Sequence, residues 1–474
     1  MFDERMKLPL ESLEEYGVRK PLDTIGDISK KIIVLDDDPT GTQTVHDVSV
    51  YTSWDIDSIR SGFREKENLF YIMTNSRAMT PDESRSVHEK IVDNVLKVSE
   101  ETNQEFMFIS RSDSTLRGHY PLETETLRRA LGRSGKQFDG EIICPFFNEG
   151  GRYTFNDIHY VKDKDWLVPA AMTEFAKDKS FGYSHSHLGL WCEERTHGRY
   201  KHEEMIYLPV NLLHNGRIKE IEALLLKASG FNKIIVNAVC DYDVQIFIMA
   251  LLEAAHKGKN YIIRSAAAVP RVLGNITPRP LLTRNDMVER GNPNGGIIII
   301  GSHVNLTTRQ VETLRASNLP IRYIEFNQHL ALDVPRLMEE SKRVRLLAEK
   351  EILAGNTVVI CTRRNKIEIQ SDDPNTLLNL SNTISDALVD VIAKLAVPPS
   401  FIVSKGGVTS SDVGKKGLKI TRARVIGQVL PGIPVWQAGD DSKFPGMAYV
   451  VFPGNVGDDN SLLQIVTMLM NDER

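Results

Sequence analysis

The sequence predicts an α/β protein of two domains, each with a largely parallel sheet flanked by helices. Three observations carry this. Short β-branched or aromatic runs recur along the chain, amphipathic stretches separate them, and a concentration of Pro, Gly and Asn interrupts the pattern once, between 270 and 295. At 474 residues the chain also exceeds the length at which one core keeps growing.

In chain order, strands are expected at 32–35, 69–73, 106–110, 141–144, 233–239 and 261–264, and a second series at 297–300, 357–361, 401–403 and 448–452. Thr80-Pro81-Asp82-Glu83 combines an N-cap hydroxyl, an N1 proline and a capping-box glutamate, so a helix should start there, with Val87, Ile91, Val95 and Val98 as its apolar face. Thr307-Thr308-Arg309-Gln310 has the spacing of a second capping box. Pro270, Pro278, Pro280, Asn292, Pro293, Asn294, Gly295 and Gly296 mark the boundary. The expected domains are 1–275 and 290–474, joined by 276–289.

Composition narrows the function classes. A formal net charge of -5 argues against nucleic-acid binding. Cys144, Cys192, Cys240 and Cys361 lie far apart with no CxxC pair, which fits a reducing cytoplasm better than a disulfide framework. No apolar run approaches the ~20 residues that span a bilayer, so neither membrane insertion nor secretion is expected. A homo-oligomer is compatible with the sequence.

The first strand runs into Asp36-Asp37-Asp38-Pro39-Thr40-Gly41, at the strand end where open α/β sheets bind ligands. Alone, this is as readily a solvated turn. The next strand ends in Thr74-Asn75-Ser76-Arg77 and the third in Arg111-Ser112-Asp113-Ser114-Thr115-Leu116-Arg117-Gly118. A fourth cluster, Pro145 to Thr154, sets Gly150-Gly151 beside Arg152. Arginines that hold carboxylates in pairs of hydrogen bonds, beside Ser, Thr and Asp that sort hydroxyls, suit a polyhydroxy acid. In the second half, Gly301-Ser302-His303, Ser404-Lys405-Gly406-Gly407-Val408-Thr409-Ser410 and Pro453-Gly454-Asn455-Val456-Gly457 each follow a strand. Three glycine turns at strand ends argue for a nucleotide site, because glycine lets backbone amides approach phosphate. There is no GxGxxG, and Gly414-Lys415-Lys416 lacks the rest of a Walker motif.

Taken in order, these segments resemble the four-carbon acid sugar kinase family, formerly a domain of unknown function, whose members act on threonate, erythronate or 3-oxo-tetronate. Asp37-Asp38-Pro39-Thr40-Gly41 is similar to its D-D-x-T-G pattern, Asp113 to Gly118 match D-S-T-L-R-G, and Pro145 to Arg152 resemble P-x-F-P-E-x-G-R. Glu174 to Asp178 match E-F-A-x-D, Gly301 to Gln310 resemble G-S-x-S-x-x-T-x-x-Q, Gly406 to Thr409 match G-G-x-T, and Gly432 to Pro434 match G-x-P. Departures occur at Val304, Pro453, Asn148 and Gly150.

The resemblance implies an ATP- and Mg²⁺-dependent kinase that phosphorylates a hydroxyl of a small sugar acid, the acid held by the amino-terminal domain and ATP by the other. The expected substrate contacts are Arg77, Asp113, Ser114, Thr115, Arg117, Gly118 and Arg152, with Arg77 and Arg117 on the carboxylate. The expected nucleotide contacts are Ser302, Gly406, Gly407, Val408, Thr409, Gly454, Asn455 and Gly457. Asp37 or Asp38 is expected to take the hydroxyl proton or help hold Mg²⁺; the metal ligands are otherwise unassigned. The alternative is a non-catalytic nucleotide or sugar-acid sensor of the same fold. His185, His187, Cys192, His197 and His202 lie close in sequence, but their spacing is not a recognised zinc set.

Overall fold

Lys31–Asp36 reads KIIVLD and is buried along its whole length, as a strand covered on both faces must be. Even Lys31 is accommodated, its ammonium donating to the carbonyls of Glu65 (2.9 Å) and Glu67 (2.8 Å). The computed structural model describes residues 3–26, 28–365, 367 and 374–471. The chain divides into two compact units: Met1–Asp37 with Ser53–Pro278, and Asp38–Thr52 with Arg279–Arg474.

In the first unit the strands Ile206–Leu208, Asn232–Val236, Gly140–Cys144, Tyr261–Ser265, Phe106–Arg111, Lys31–Asp36 and Leu69–Met73 lie side by side in that order, and every pairing is parallel. Their register makes the carboxyl ends flush. Asp36 lies opposite both Met73 and Arg111, and Ser265 opposite both Arg111 and Cys144. Loops leaving these strands therefore emerge along one edge. A smaller antiparallel sheet, Leu8–Pro9, Trp166–Pro169, Ile158–Asp163 and Arg152–Phe155, belongs to the same unit.

Helix Pro81–Thr102 begins at the expected box: Thr80 N donates to Glu83 Oε2 (2.8 Å), Glu83 N to Thr80 Oγ1 (3.4 Å), and Asn103 ends the helix at φ 50°. Ile91, Val95 and Val98 are buried, with Val92 beside them, while Val87 is half-buried.

In the second unit Ala448–Phe452, Ile402–Lys405, Ile297–Ile300, Thr357–Thr362 and Ile321–Phe326 form a parallel run. Ile433–Ala438, Arg422–Leu430 and Val48–Tyr51 extend it antiparallel, so residues early in the chain supply a strand here. Ile300, Cys361, Lys405 and Phe452 are again flush. Helices Asn305–Ala316 and Ser461–Met470 bury Val311, Leu314, Leu462, Ile465 and Val466 with Ile298, Val403 and Val450 of the sheet. Among the described residues no helix is long and apolar enough to cross a membrane.

One local expectation fails. Helix Asn305–Ala316 follows Val304 as its N-cap, so Thr307 and Gln310 lie inside the helix instead of forming a capping box. Both side chains turn to tertiary contacts: Thr307 Oγ1 donates to Gly454 O (3.3 Å) and lies 3.2 Å from Ser302 Oγ, and Gln310 Nε2 donates to Asp458 O (2.7 Å).

Candidate functional site

At the carboxyl edge of the first unit, three strand-end loops and Asp178 bring charges together. Arg111, the last residue of its strand, reaches Asp36 (3.4 Å) and Asp37 (3.5 Å). Asp37 Oδ2 accepts from the Asp113 amide (3.0 Å) and faces Arg77 Nε (3.3 Å), while Arg77 Nη1 lies 3.6 Å from Asp113. Arg117 Nε donates to Asp113 Oδ2 (2.7 Å), and its Nη1 lies 3.7 Å from Asp178. Burial raises the Asp37 carboxyl above the usual range, opposed by Arg77 and Arg111. At Asp113 burial pushes the same way, but Arg117 and Arg77 outweigh it and hold the group well below that range.

The loop that carries Asp113 is held in shape from several sides. Thr115 Oγ1 donates to Asp113 and accepts from Arg117 Nε (3.2 Å), and the Tyr183 hydroxyl donates to Thr115 O (2.8 Å). His159 Nε2 donates to Ser114 O (2.8 Å), while its Nδ1 accepts from Thr154 Oγ1 (2.9 Å). Gly118 sits at φ +117°, a conformation other residues avoid, where a Cβ would stand 3.5 Å from Asp37 Oδ2.

Arg152 differs from the other cations. It opens the small-sheet strand Arg152–Phe155, is 5% exposed, and has no salt-bridge partner among the described residues; its Nε makes no hydrogen bond. Its guanidinium stands 5.9 Å from the centre of the Phe175 ring, which Arg117 also approaches at 5.1 Å. Burial pulls Arg152 down to about 10, with only partial compensation from Asp113. A buried cation without its own counter-ion is costly, and an anionic ligand would relieve it.

The second unit builds its site from backbone. Gly301-Ser302, Gly406-Gly407 and Pro453-Gly454 leave flush strand ends and converge on Ser302. A Cβ on Gly406 would lie 2.9 Å from Ser302 Cβ, and one on Gly454 3.0 Å from Ser302 Oγ. Gly406 is at φ +121° and Gly457 at +84°. Thr409 is buried beside Gly406, Val408 is exposed at the start of helix Gly407–Asp412, and Asn455 is half-buried. Asp38 Oδ1 accepts from the Thr40 amide (2.8 Å), and Oδ2 lies 3.1 Å from where a Gly407 Cβ would stand.

Three residues outside the sequence-based selection also belong to these edges. Arg111 and Lys405 are the last residues of their strands, and Arg364 donates to Ser302 O (2.7 Å) and Thr308 Oγ1 (2.7 Å). Position was the available signal, since each is a cation at the end of an apolar run.

The histidine-rich segment has other occupations. His185 pairs with Glu4 (2.7 Å), His202 with Glu193 (2.8 Å), and His187 accepts from the Leu190 amide (3.3 Å) at a helix start. Cys192 is buried, and burial pushes its thiol up to about 12. An open hollow of about 420 Å³ is lined by His185, Glu193, His197 and His202. Elsewhere, His214, Cys240 and Asp243 have ligand atoms within 4.8 Å of one another, but Asp243 accepts from Val239 N (2.9 Å), Cys240 N (3.2 Å) and His214 (2.8 Å) as a helix cap.

Comparison with known proteins finds two matched segments, the first of which includes Asp38–Thr52 of the second unit. Residues 32–273 match the model of a sugar-binding N-terminal domain, and residues 297–462 that of a nucleotide-binding C-terminal domain. No curated protein matches. Among solved structures, Haemophilus influenzae protein HI1011, assigned to DUF1537, is 17% identical with a TM-score of 0.56, covering 93% of this chain and 100% of that one. A Salmonella typhimurium LT2 protein provisionally named a tRNA synthase is 15% identical with a TM-score of 0.61, covering 91% and 98%. At such identities the likeness concerns the fold. With an arginine-rich strand edge inside the first matched domain and converging glycine turns inside the second, the chain belongs to the family that joins a sugar-binding N-terminal domain to a nucleotide-binding C-terminal domain.

Proposed function

We propose that the protein is an ATP-dependent kinase that phosphorylates a hydroxyl of a small, four-carbon sugar acid. The observation that carries this is Arg152: a buried guanidinium without its own counter-ion, in a sugar-binding domain, calls for an acidic ligand. In this reading Arg152 holds the carboxylate through paired hydrogen bonds. Arg77 and Arg117, already engaged by Asp37, Asp113 and Asp178, fix the floor, and Asp113, Ser114, Thr115 and Gly118 shape the acid's surroundings.

Phosphoryl transfer requires an aligned hydroxyl and neutralised phosphate charge more than covalent chemistry. Ser302, Gly406, Gly407, Val408, Thr409, Gly454, Asn455 and Gly457 would cradle the ATP phosphates. Asp38 suits Mg²⁺, a hard cation that prefers oxygen donors and offsets phosphate charge. Of the two candidate carboxylates it is the one beside the Gly407 turn, whereas Asp37 is held among arginines. Asp38 also remains the candidate to receive the hydroxyl proton.

The test is ADP release from Mg-ATP across a panel of four-carbon sugar acids and shorter and longer homologues. Turnover should peak with one four-carbon acid, and Asp38→Asn should lower it about 100-fold. Binding of both ligands without turnover on any acid would make the protein a sensor instead.

A further inference from the structure

Lys405 ends the strand Ile402–Lys405 with its side chain wholly buried. Its ammonium donates to Pro453 O (2.6 Å) and lies 3.6 Å from the centre of the Phe452 ring. Among the described residues no carboxylate pairs with it, and burial alone pulls it well below the ordinary lysine range. Keeping a charge there is costly, which asks for a use.

Its surroundings supply one. The Gly406 amide donates to Phe452 O (2.9 Å), so Lys405 and the residue after it both clasp the chain that leads into the Pro453-Gly454 turn. The next carbonyl, Gly454 O, accepts from Thr307 Oγ1 (3.3 Å). Both carbonyls of the turn are thus drawn into the protein. In a planar trans peptide the N–H points opposite to the C=O, so the amides of Gly454 and Asn455 are directed away from those buried donors. Neither amide has an acceptor among the described residues. Successive outward amides beside a buried cation form an anion-binding nest.

We infer that Lys405 is a positioning residue for nucleotide phosphate: it clamps the Pro453 carbonyl so that the Gly454 and Asn455 amides present a phosphate nest, and it places an uncompensated positive charge beneath that nest. This rests on the nucleotide-site reading above and assigns the turn its ligand atoms.

The test compares Lys405→Met, which keeps the stem but removes charge and tether, with the full-length protein by calorimetric titration of ADP. ADP affinity should fall at least ~30-fold and KM for ATP should rise, while KM for the sugar acid is unchanged and Tm is not lowered, because an unpaired buried charge has gone. Lys405→Gln can still donate to Pro453 O and should recover part of the affinity. A Lys405→Met protein that binds ADP like wild type would overturn the assignment. Wild type that fails to bind ADP would instead overturn the nucleotide-site reading. Hydrogen exchange on wild type needs no variant: the peptide spanning 453–457 should gain protection with ADP, and unchanged exchange there counts against the nest.

Discussion

The two strand edges solve ligand binding by opposite means. In the first unit the loops present side-chain charge: Arg77, Arg111 and Arg117 pair with Asp36, Asp37, Asp113 and Asp178, while Arg152 makes no such pair among the described residues. In the second unit they present backbone, with glycines at Ser302 where any Cβ would crowd the approach. A side-chain site can be retuned by exchanging single residues without moving the chain. A backbone site depends on φ values and close approach, so it tolerates little change in sequence.

That contrast can be broken at either edge. The largest effect is expected from Arg152→Met: kcat/KM for the sugar acid should fall about 1000-fold, equivalent to about 4 kcal/mol, with ADP affinity unchanged. Steady-state kinetics beside ADP titration separates the two, and equal losses in both would erase the distinction between the edges. Next comes the support of the Ser114 loop. Burial lowers His159 from 6.5 to about 4, so the folded protein keeps it neutral while the unfolded chain protonates it. Its contribution is complete above about pH 6.5, shrinks as pH falls below that value, and is gone below about pH 4, a change of roughly 3 kcal/mol at most. Denaturant unfolding from pH 4 to 7.5 should show stability rising with pH, and His159→Gln should flatten that slope.

Gly406→Ala probes the other edge. At φ +121° and against Ser302, the methyl should weaken ADP about 30-fold, near 2 kcal/mol, and leave sugar-acid binding alone. The smallest effect is the control, Thr80→Ala, which removes a capping box whose hydrogen bonds run between Thr80 and Glu83. It should cost about 1 kcal/mol of unfolding free energy and change neither KM.

Parallel strands were legible because, buried on both faces, they are written as unbroken runs such as Ile297–Ile300. The Thr80 box was legible because its chemistry is local. Thr307 and Gln310 show the limit of that logic: the same i, i+3 spacing serves contacts to the Gly454–Asp458 loop, which sequence distance hides. The residues at the strand ends were visible as polar clusters, but not their pairing. Nothing in the sequence separates Arg152 from Arg117, since one lacks a counter-ion only because Asp113 and Asp178 are turned to the other. The small sheet that carries Arg152 was missed, its short strands being broken by exposed residues such as Lys162, Asp163 and Trp166. Lys405 was hidden for a related reason, because burial without a partner is a property of the fold.

The excursion of Asp38–Thr52 into the second unit reaches beyond chemistry. The chain passes between the units three times, and Val48–Tyr51 pairs with Arg422–Val425 there. A gene fragment beginning at Arg279 would encode the nucleotide half without that strand, leaving the Arg422–Val425 backbone open to pairing with other chains. The nucleotide half is therefore not a cassette that recombination at a single junction could move intact, and the two halves are bound to be inherited together.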